Sequence, residues 1–198
     1  MVEEPFAILD AALVRAVDAA CGEAVRKGAA SIACRPGCTE CCIGAFPISQ
    51  ADAARLVRGL SALASRDPER AGAVQQRARD AMSRVAPDAP ALAGGEPALD
   101  ALIASAEDEP CPALDPQTGL CDLYEHRPLT CRMFGPALRS PSGGIGVCEL
   151  CFEGATDDDI ESCAVDLDSD ALESPLIEAI EKASGKRGST IVAAVLSA

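Results

Sequence analysis

The stretch ACRPGCTECC, Ala33–Cys42, holds four cysteines in its last nine positions, and the last two cysteines are adjacent. Pro36 and Gly37 interrupt any regular helix here and favour a tight loop. A loop can direct several sulfurs at one centre, whereas a strand turns successive side chains to opposite faces. Five more cysteines form a second, irregular block: Cys111, Cys121, Cys131, Cys148 and Cys151. The sequence therefore predicts two cysteine-rich loop regions that a helical frame brings together.

Crowded thiols are typical of three kinds of chemistry: disulfides, a redox pair or a metal centre. The N-terminus MVEEPFAILD lacks the basic and apolar segments of a secretory signal, so we expect a cytoplasmic protein, in which thiols stay reduced. Eleven cysteines is an odd number, so complete pairing within the chain is impossible. A thioredoxin-like pair needs a CxxC at a helix start after a strand, and neither Cys38-x-x-Cys41 nor Cys148-x-x-Cys151 has that setting. We therefore predict a metal centre.

The type of donor narrows the choice of metal. Soft thiolates select zinc, copper(I) or iron–sulfur clusters. His126 is the single histidine, which leaves Cys₄ zinc or a cysteine-ligated cluster. We expect an iron–sulfur cluster of the 4Fe-4S type, with zinc as the alternative. The adjacent Cys41 and Cys42 diverge and are awkward ligands for one mononuclear ion, so one centre with spare thiols and two centres both remain open.

The composition favours a mostly α fold. Aromatic residues make up 3% of the chain and tryptophan is absent, which favours alanine-rich helices over a β-sandwich. Apolar residues at three- and four-residue steps predict a helix over 6–27. Ser49-x-x-Asp52 and Asp67-Pro68-Glu69 are typical helix starts, and a last helix is predicted over about 171–184.

These elements predict a single domain over 1–198. A Pro/Ala/Gly-rich loop is expected over 87–97. The predicted cysteine-cluster core covers about 34–152, and the first and last helices flank it.

The charge distribution bears on possible partners. Residues 1–99 carry 12 acidic and 11 basic residues, whereas residues 100–198 carry 19 acidic and 6 basic ones. With a formal net charge of −14, the chain has no basic stripe for phosphates, so we do not expect nucleic-acid binding. An anionic membrane surface would repel it, and no apolar run is long enough to span a bilayer. The remaining partners are a metal or cluster and a protein partner or substrate.

The order of the cysteines is similar to that of a known family. Cys34-x3-Cys38-x2-Cys41-Cys42 is followed by Cys111-Pro112 and by Cys121-x2-Tyr124-Glu125-x-Arg127-Pro128-x2-Cys131-Arg132. This pattern resembles the YkgJ-type cysteine-cluster family, a zinc- or iron-chelating CxxCxxCC domain related to the flagellin lysine N-methylase FliB. The resemblance implies that the matching cysteines are metal ligands and that Cys148 or Cys151 completes the set. The matching cysteines are Cys34, Cys38, Cys41, Cys42, Cys111, Cys121 and Cys131.

Two arginines of the same motif are candidate cofactor-binding residues. Arg127 and Arg132 could offset the negative charge of a thiolate-rich centre or donate hydrogen bonds to sulfur. The alternative is a surface ion pair with Asp122 or Glu125. Tyr124, the only tyrosine, is predicted to be a core residue.

Three classes of function remain open. The first is a metal-binding or electron-transfer module. The second is an enzyme that modifies a protein side chain, as the flagellin methylase does, and the third is a structural zinc domain that presents a partner surface. The sequence contains no Ser/His/Asp set, phosphate-binding glycine loop or dinucleotide fingerprint, so no catalytic residue is assigned.

Overall fold

The computed structural model describes residues 3–85 and 96–198. In these ranges the chain is mostly helical, with three strands of two residues each, and the predicted fold class is confirmed. The loop predicted over 87–97 falls mainly on 86–95, outside the described ranges, and a helix begins at Glu96. The helices are α1 Glu3–Lys27, α2 Gln50–Arg66, α3 Pro68–Val85, α4 Glu96–Ala104, α5 Leu129–Met133, α6 Asp157–Cys163, α7 Ser169–Ser184 and α8 Val192–Leu196.

Local capping accounts for several of these helix starts. The Ser49 hydroxyl accepts a hydrogen bond from the Asp52 amide at 3.0 Å and opens α2. Asp67 accepts one from the Arg70 amide, also at 3.0 Å, just before Pro68 opens α3. The first and last predicted helices each extend further toward the N-terminus, to Glu3 and Ser169.

The chain divides into two compact units. The first unit comprises Met1–Arg35 and Leu129–Ala179, and the second comprises Pro36–Pro128 and Ile180–Ala198. Helix α7 contributes its residues up to Ala179 to the first unit. The prediction of a single domain stays a prediction.

The second unit is built on α2, α3 and α8, which pack against one another. Their apolar faces form a core that includes Leu56 and Val74, and Ile48, just before α2, packs into it. The half-buried Cys111 and Cys121 pack against this core. A helical layer therefore supports both of these thiols.

In the first unit α1 packs against α5, α6 and a small sheet. The sheet has the order β2–β1–β3, in which β1 (Leu138–Arg139) pairs antiparallel with β2 (Ile145–Gly146) and parallel with β3 (Val165–Asp166). Beside it lies a buried cluster of Ala137, Cys151 and Phe152, against which Cys148 and Cys163 pack. No helix within 3–85 or 96–198 has the length and apolarity needed to cross a membrane.

Candidate metal centre

Backbone pairing joins the two cysteine blocks in the second unit. The Cys111 amide donates to the Cys42 carbonyl at 2.7 Å, and the Gly44 amide donates to the Glu109 carbonyl at 2.9 Å. Ile43 and Pro110 form an antiparallel bridge between the same two segments. The end of the first cysteine loop therefore lies alongside the beginning of the second block.

A tight turn brings Cys121 back to the same segment. Leu114 and Cys121 form an antiparallel bridge, and the Asp122 amide donates to the Ala113 carbonyl at 2.7 Å. At the tip of the turn, Gly119 has a φ of +68°. A Cβ there would lie 3.7 Å from the Cα of Gly37 and 3.8 Å from the Thr39 methyl carbon. The loop that carries Cys38 therefore contacts the turn that carries Cys121.

Burial and neighbouring thiols raise the pKa values of Cys41, Cys111 and Cys121. A hydrogen bond with Cys42, and then burial, raise the pKa of the Cys41 thiol far above its usual range. Burial raises the pKa of Cys111 to about 11 and also raises that of Cys121. In both, a neighbouring thiol adds a smaller upward shift of the pKa. A bound cation would reverse this balance, because it stabilises the thiolate form.

Arg127 contributes positive charge to this group. It lowers the pKa of both Cys41 and Cys121, although by less than the opposing effects raise it. Its guanidinium lies over the Tyr124 ring, 3.9 Å from the ring centroid, and donates to the Tyr124 carbonyl at 2.9 Å. Tyr124 is 57% exposed, so the prediction of a core tyrosine is wrong. Its ring is instead an exposed stacking surface for Arg127.

Sequence reasoning missed the buried carboxylate of Asp122, which follows Cys121 and forms ion pairs with two arginines. The Asp122 side chain is 1% exposed and accepts hydrogen bonds from Arg70 and Arg77 of α3, the latter at 2.6 Å. Arg77 also donates to the Pro112 carbonyl at 2.9 Å. The seven-residue spacing of the two arginines places them on one helix face, but it does not identify Asp122 as their partner.

The remaining predicted ligands lie in the first unit. The Cys34 and Cys151 sulfurs are 3.9 Å apart. The Cys151 amide donates to the Cys148 carbonyl at 2.9 Å, and Cys131 lies on α5. Arg132 is also in this unit, and its guanidinium donates to both carboxylate oxygens of Asp18 at 3.0 and 2.9 Å. The structure thus places five predicted ligands in the second unit and four in the first.

Cysteine thiolates are the donors that a thiophilic metal prefers, although the described side chains do not yet form a complete coordination site. All eleven cysteines lie in the described ranges, and none of them forms a disulfide there. Within those ranges, no three His, Cys, Asp or Glu side chains are already grouped as a metal site. The backbone brings together the segments that carry Cys42, Cys111 and Cys121 in the second unit.

Comparison with known proteins supports this chemistry. Neither a search of curated proteins nor one of solved structures found a match. A family model described as "CxxCxxCC: Putative zinc- or iron-chelating domain" matches residues 33–143, more than half of the chain. The match contains seven of the nine predicted cysteine ligands and ends before Cys148 and Cys151. The resemblance to the CxxCxxCC domain is thereby confirmed, and the chain belongs to the CxxCxxCC family of zinc- or iron-chelating domains.

Proposed function

We propose that the second unit binds a metal centre through cysteine thiolates drawn from Cys38, Cys41, Cys42, Cys111 and Cys121. The observation that carries the proposal is the backbone pairing of three segments distant in sequence. Cys42 pairs with Cys111, and Cys121 with Leu114. Membership of a zinc- or iron-chelating family supports the same chemistry.

The donor chemistry supports an iron–sulfur cluster as the bound group, with zinc as the alternative. The pool consists of five soft sulfur donors, which both groups accept. A bound cluster would supply one-electron transfer, whereas a closed zinc site would serve as a structural cross-link. The proposed role of the chain is accordingly a metal-binding or electron-transfer module.

The surrounding side chains have distinct parts in this proposal. Arg127 offsets the negative charge that several thiolates would bring together, as its effect on the pKa of Cys41 and Cys121 supports. The pairing of Asp122 with two arginines of α3 holds the segment that carries Cys121. The thiols would lose their protons on binding, so metal loading should release acid.

Oxygen-free isolation tests the proposal directly. Iron, zinc and acid-labile sulfide are measured per chain, for the unaltered protein and for the double variant Cys111→Ser/Cys121→Ser. We expect a brown protein with iron and sulfide in equal amounts, and loss of the second-unit centre in the double variant. A colourless protein with stoichiometric zinc would reject the cluster and retain the thiolate site.

The matched control is Cys163→Ser, a change to a half-buried cysteine outside the second unit. Its metal content should equal that of the unaltered protein. If the double variant stays folded by circular dichroism and keeps all of its metal, the proposed site is wrong.

A further inference from the structure

The geometry points to a second, separate metal centre in the first unit. We propose that Cys34, Cys148 and Cys151 bind a zinc ion or an iron–sulfur cluster, with Cys131 as the fourth donor. This inference goes beyond the proposed function, which concerns the second unit alone. Cys148 and Cys151 also lie beyond the end of the family match at residue 143.

The distance between two sulfurs is the first observation. The Sγ atoms of Cys34 and Cys151 are 3.9 Å apart. A disulfide would hold them at about 2.05 Å. Two thiolates on one tetrahedral zinc ion, each about 2.3 Å from the metal, lie about 3.8 Å from each other. The observed separation is that of a thiol–thiol contact. It is too long for a cystine and close to one edge of a metal–thiolate tetrahedron.

The backbone around this pair is shaped to admit the sulfurs. Gly135 has a φ of +112°, which favours glycine. A Cβ at this position would lie 2.5 Å from the Cys34 sulfur and 4.0 Å from the Cys151 sulfur. The Gly135 carbonyl also accepts the Cys148 amide at 3.5 Å. Gly135 therefore lies next to the Cys34 and Cys151 sulfurs and to the backbone amide of Cys148.

The third donor comes from the turn that carries Cys151. The Cys151 amide donates to the Cys148 carbonyl, and both residues belong to the apolar cluster around Ala137 and Phe152. A CxxC turn lets two sulfurs reach one ion. The low-polarity surroundings strengthen the attraction between a cation and thiolates.

The fourth donor lies on a short helix that is firmly attached within the unit. Cys131 is on α5, four residues before Gly135, and α5 packs against α1. The Arg132 side chain is 3% exposed and bonds both oxygens of Asp18 on α1, which fixes this helix. Among the described residues no three donors share one point. Metal binding would therefore require the Cys131 and Cys148 side chains to rotate toward the Cys34 and Cys151 sulfurs.

Metal content of the full chain tests the inference. The unaltered protein, Cys34→Ser/Cys151→Ser, Cys111→Ser/Cys121→Ser and the control Cys163→Ser are isolated without oxygen, and iron, zinc and sulfide are measured per chain. Each double variant should lose all the metal of one site and keep that of the other, because each removes one of two independent sites. Cys163 packs in the same apolar cluster as Cys151, so its replacement is a matched change and should lose none.

The two proposals fail in distinguishable ways. If Cys34→Ser/Cys151→Ser keeps all the metal, or if each double variant alone loses all of it, a separate first-unit centre is wrong. If the Cys111 and Cys121 variant keeps all its metal while the Cys34 and Cys151 variant loses it, the second-unit site is wrong and the first-unit site stands.

Thiol protection in the unaltered protein gives an answer even where a variant fails to fold. Alkylation by N-ethylmaleimide is followed by peptide mass mapping, with and without bound Zn²⁺. Zinc should slow the modification of Cys34, Cys148 and Cys151 about tenfold or more, since a bound thiolate is no longer a free nucleophile. Cys163 should react at the same rate in both states. Equal rates at the three predicted ligands, or a Cys34–Cys151 disulfide in protein isolated without oxygen, would overturn the inference.

Discussion

At the scale of single residues, Arg77 connects the two arms of the loop that carries Cys111 and Cys121. Its Nε donates to the Pro112 carbonyl at 2.9 Å, and its Nη2 donates to Asp122 at 2.6 Å. Pro112 follows Cys111 and Asp122 follows Cys121. The Arg77 guanidinium therefore links the two chain segments that carry these cysteines. A planar guanidinium can make both bonds at once, whereas a lysine ammonium lacks this fixed fork.

We therefore expect Arg77→Ala to destabilise the protein by about 1–3 kcal/mol, because it removes a partner from a buried carboxylate. Urea unfolding measures the change. Arg79→Ala is the control on the same helix, since Arg79 makes an exposed bond to Gln76, and it should cost less than about 0.5 kcal/mol. Equal losses in the two variants would show that Arg77 has no special part in holding the loop.

At the scale of elements, α2 and α3 each contain one glycine, and the surroundings of the two differ. A Cβ at Gly59 in α2 would lie 2.5 Å from the His126 Cβ and 2.6 Å from its Cγ. A Cβ at Gly72 in α3 would meet nothing within 4 Å. Gly59 therefore allows the turn Tyr124–His126, just before Arg127, to pack closely on α2.

The same substitution should have opposite effects in the two helices. Gly72→Ala should stabilise the protein by about 0.5–1 kcal/mol, because alanine has the higher helix propensity. Gly59→Ala gains the same propensity but forces the His126 ring away, and overpacking of this kind costs about 1–3 kcal/mol. Thermal unfolding of both variants measures the difference. A stabilising Gly59→Ala would contradict the close packing of His126 on α2.

At the scale of the whole molecule, the dependence of stability on pH can be traced to an identified ion pair. Arg84 donates to both carboxylate oxygens of Glu109 at 2.8 Å, and this bonding lowers the pKa of Glu109. A carboxyl with a lowered pKa binds protons more weakly in the folded state than in the unfolded chain. Its contribution to stability is present above the unfolded pKa and is lost as pH falls through the folded value.

We expect Glu109→Gln to flatten the curve of unfolding free energy against pH below about pH 5, where an unfolded glutamate begins to protonate. Arg84→Gln should flatten the same part of the curve, since it removes the other partner. The measurement is urea unfolding at a series of pH values. Variant curves parallel to that of the unaltered protein would contradict the role of this pair. Because the pair is largely on the surface, high salt should reduce the effect.

Much of the fold follows from short-range signals. Ser49 and Asp67 cap helices by accepting hydrogen bonds from amides three residues ahead. Each capping interaction therefore involves only residues that are close in sequence. The family was recognisable from cysteine spacing for the same reason, and its match to residues 33–143 confirms it. The buried pairing of Asp122 with α3 could not be predicted in this way, because its arginines are 45 and 52 residues away.

The sequence alone determined a mostly helical chain with two cysteine blocks and membership of a zinc- or iron-chelating family. Residue type and local spacing decide capping, periodicity and the class of donor. Only the tertiary structure decided how the cysteines are grouped. Cys34 and Cys38 are four residues apart, yet they belong to different compact units. Cys34 lies with Cys151, and Cys42 pairs with Cys111, because contacts and hydrogen bonds between distant segments place them there. Spacing along a chain carries no information about such long-range pairing.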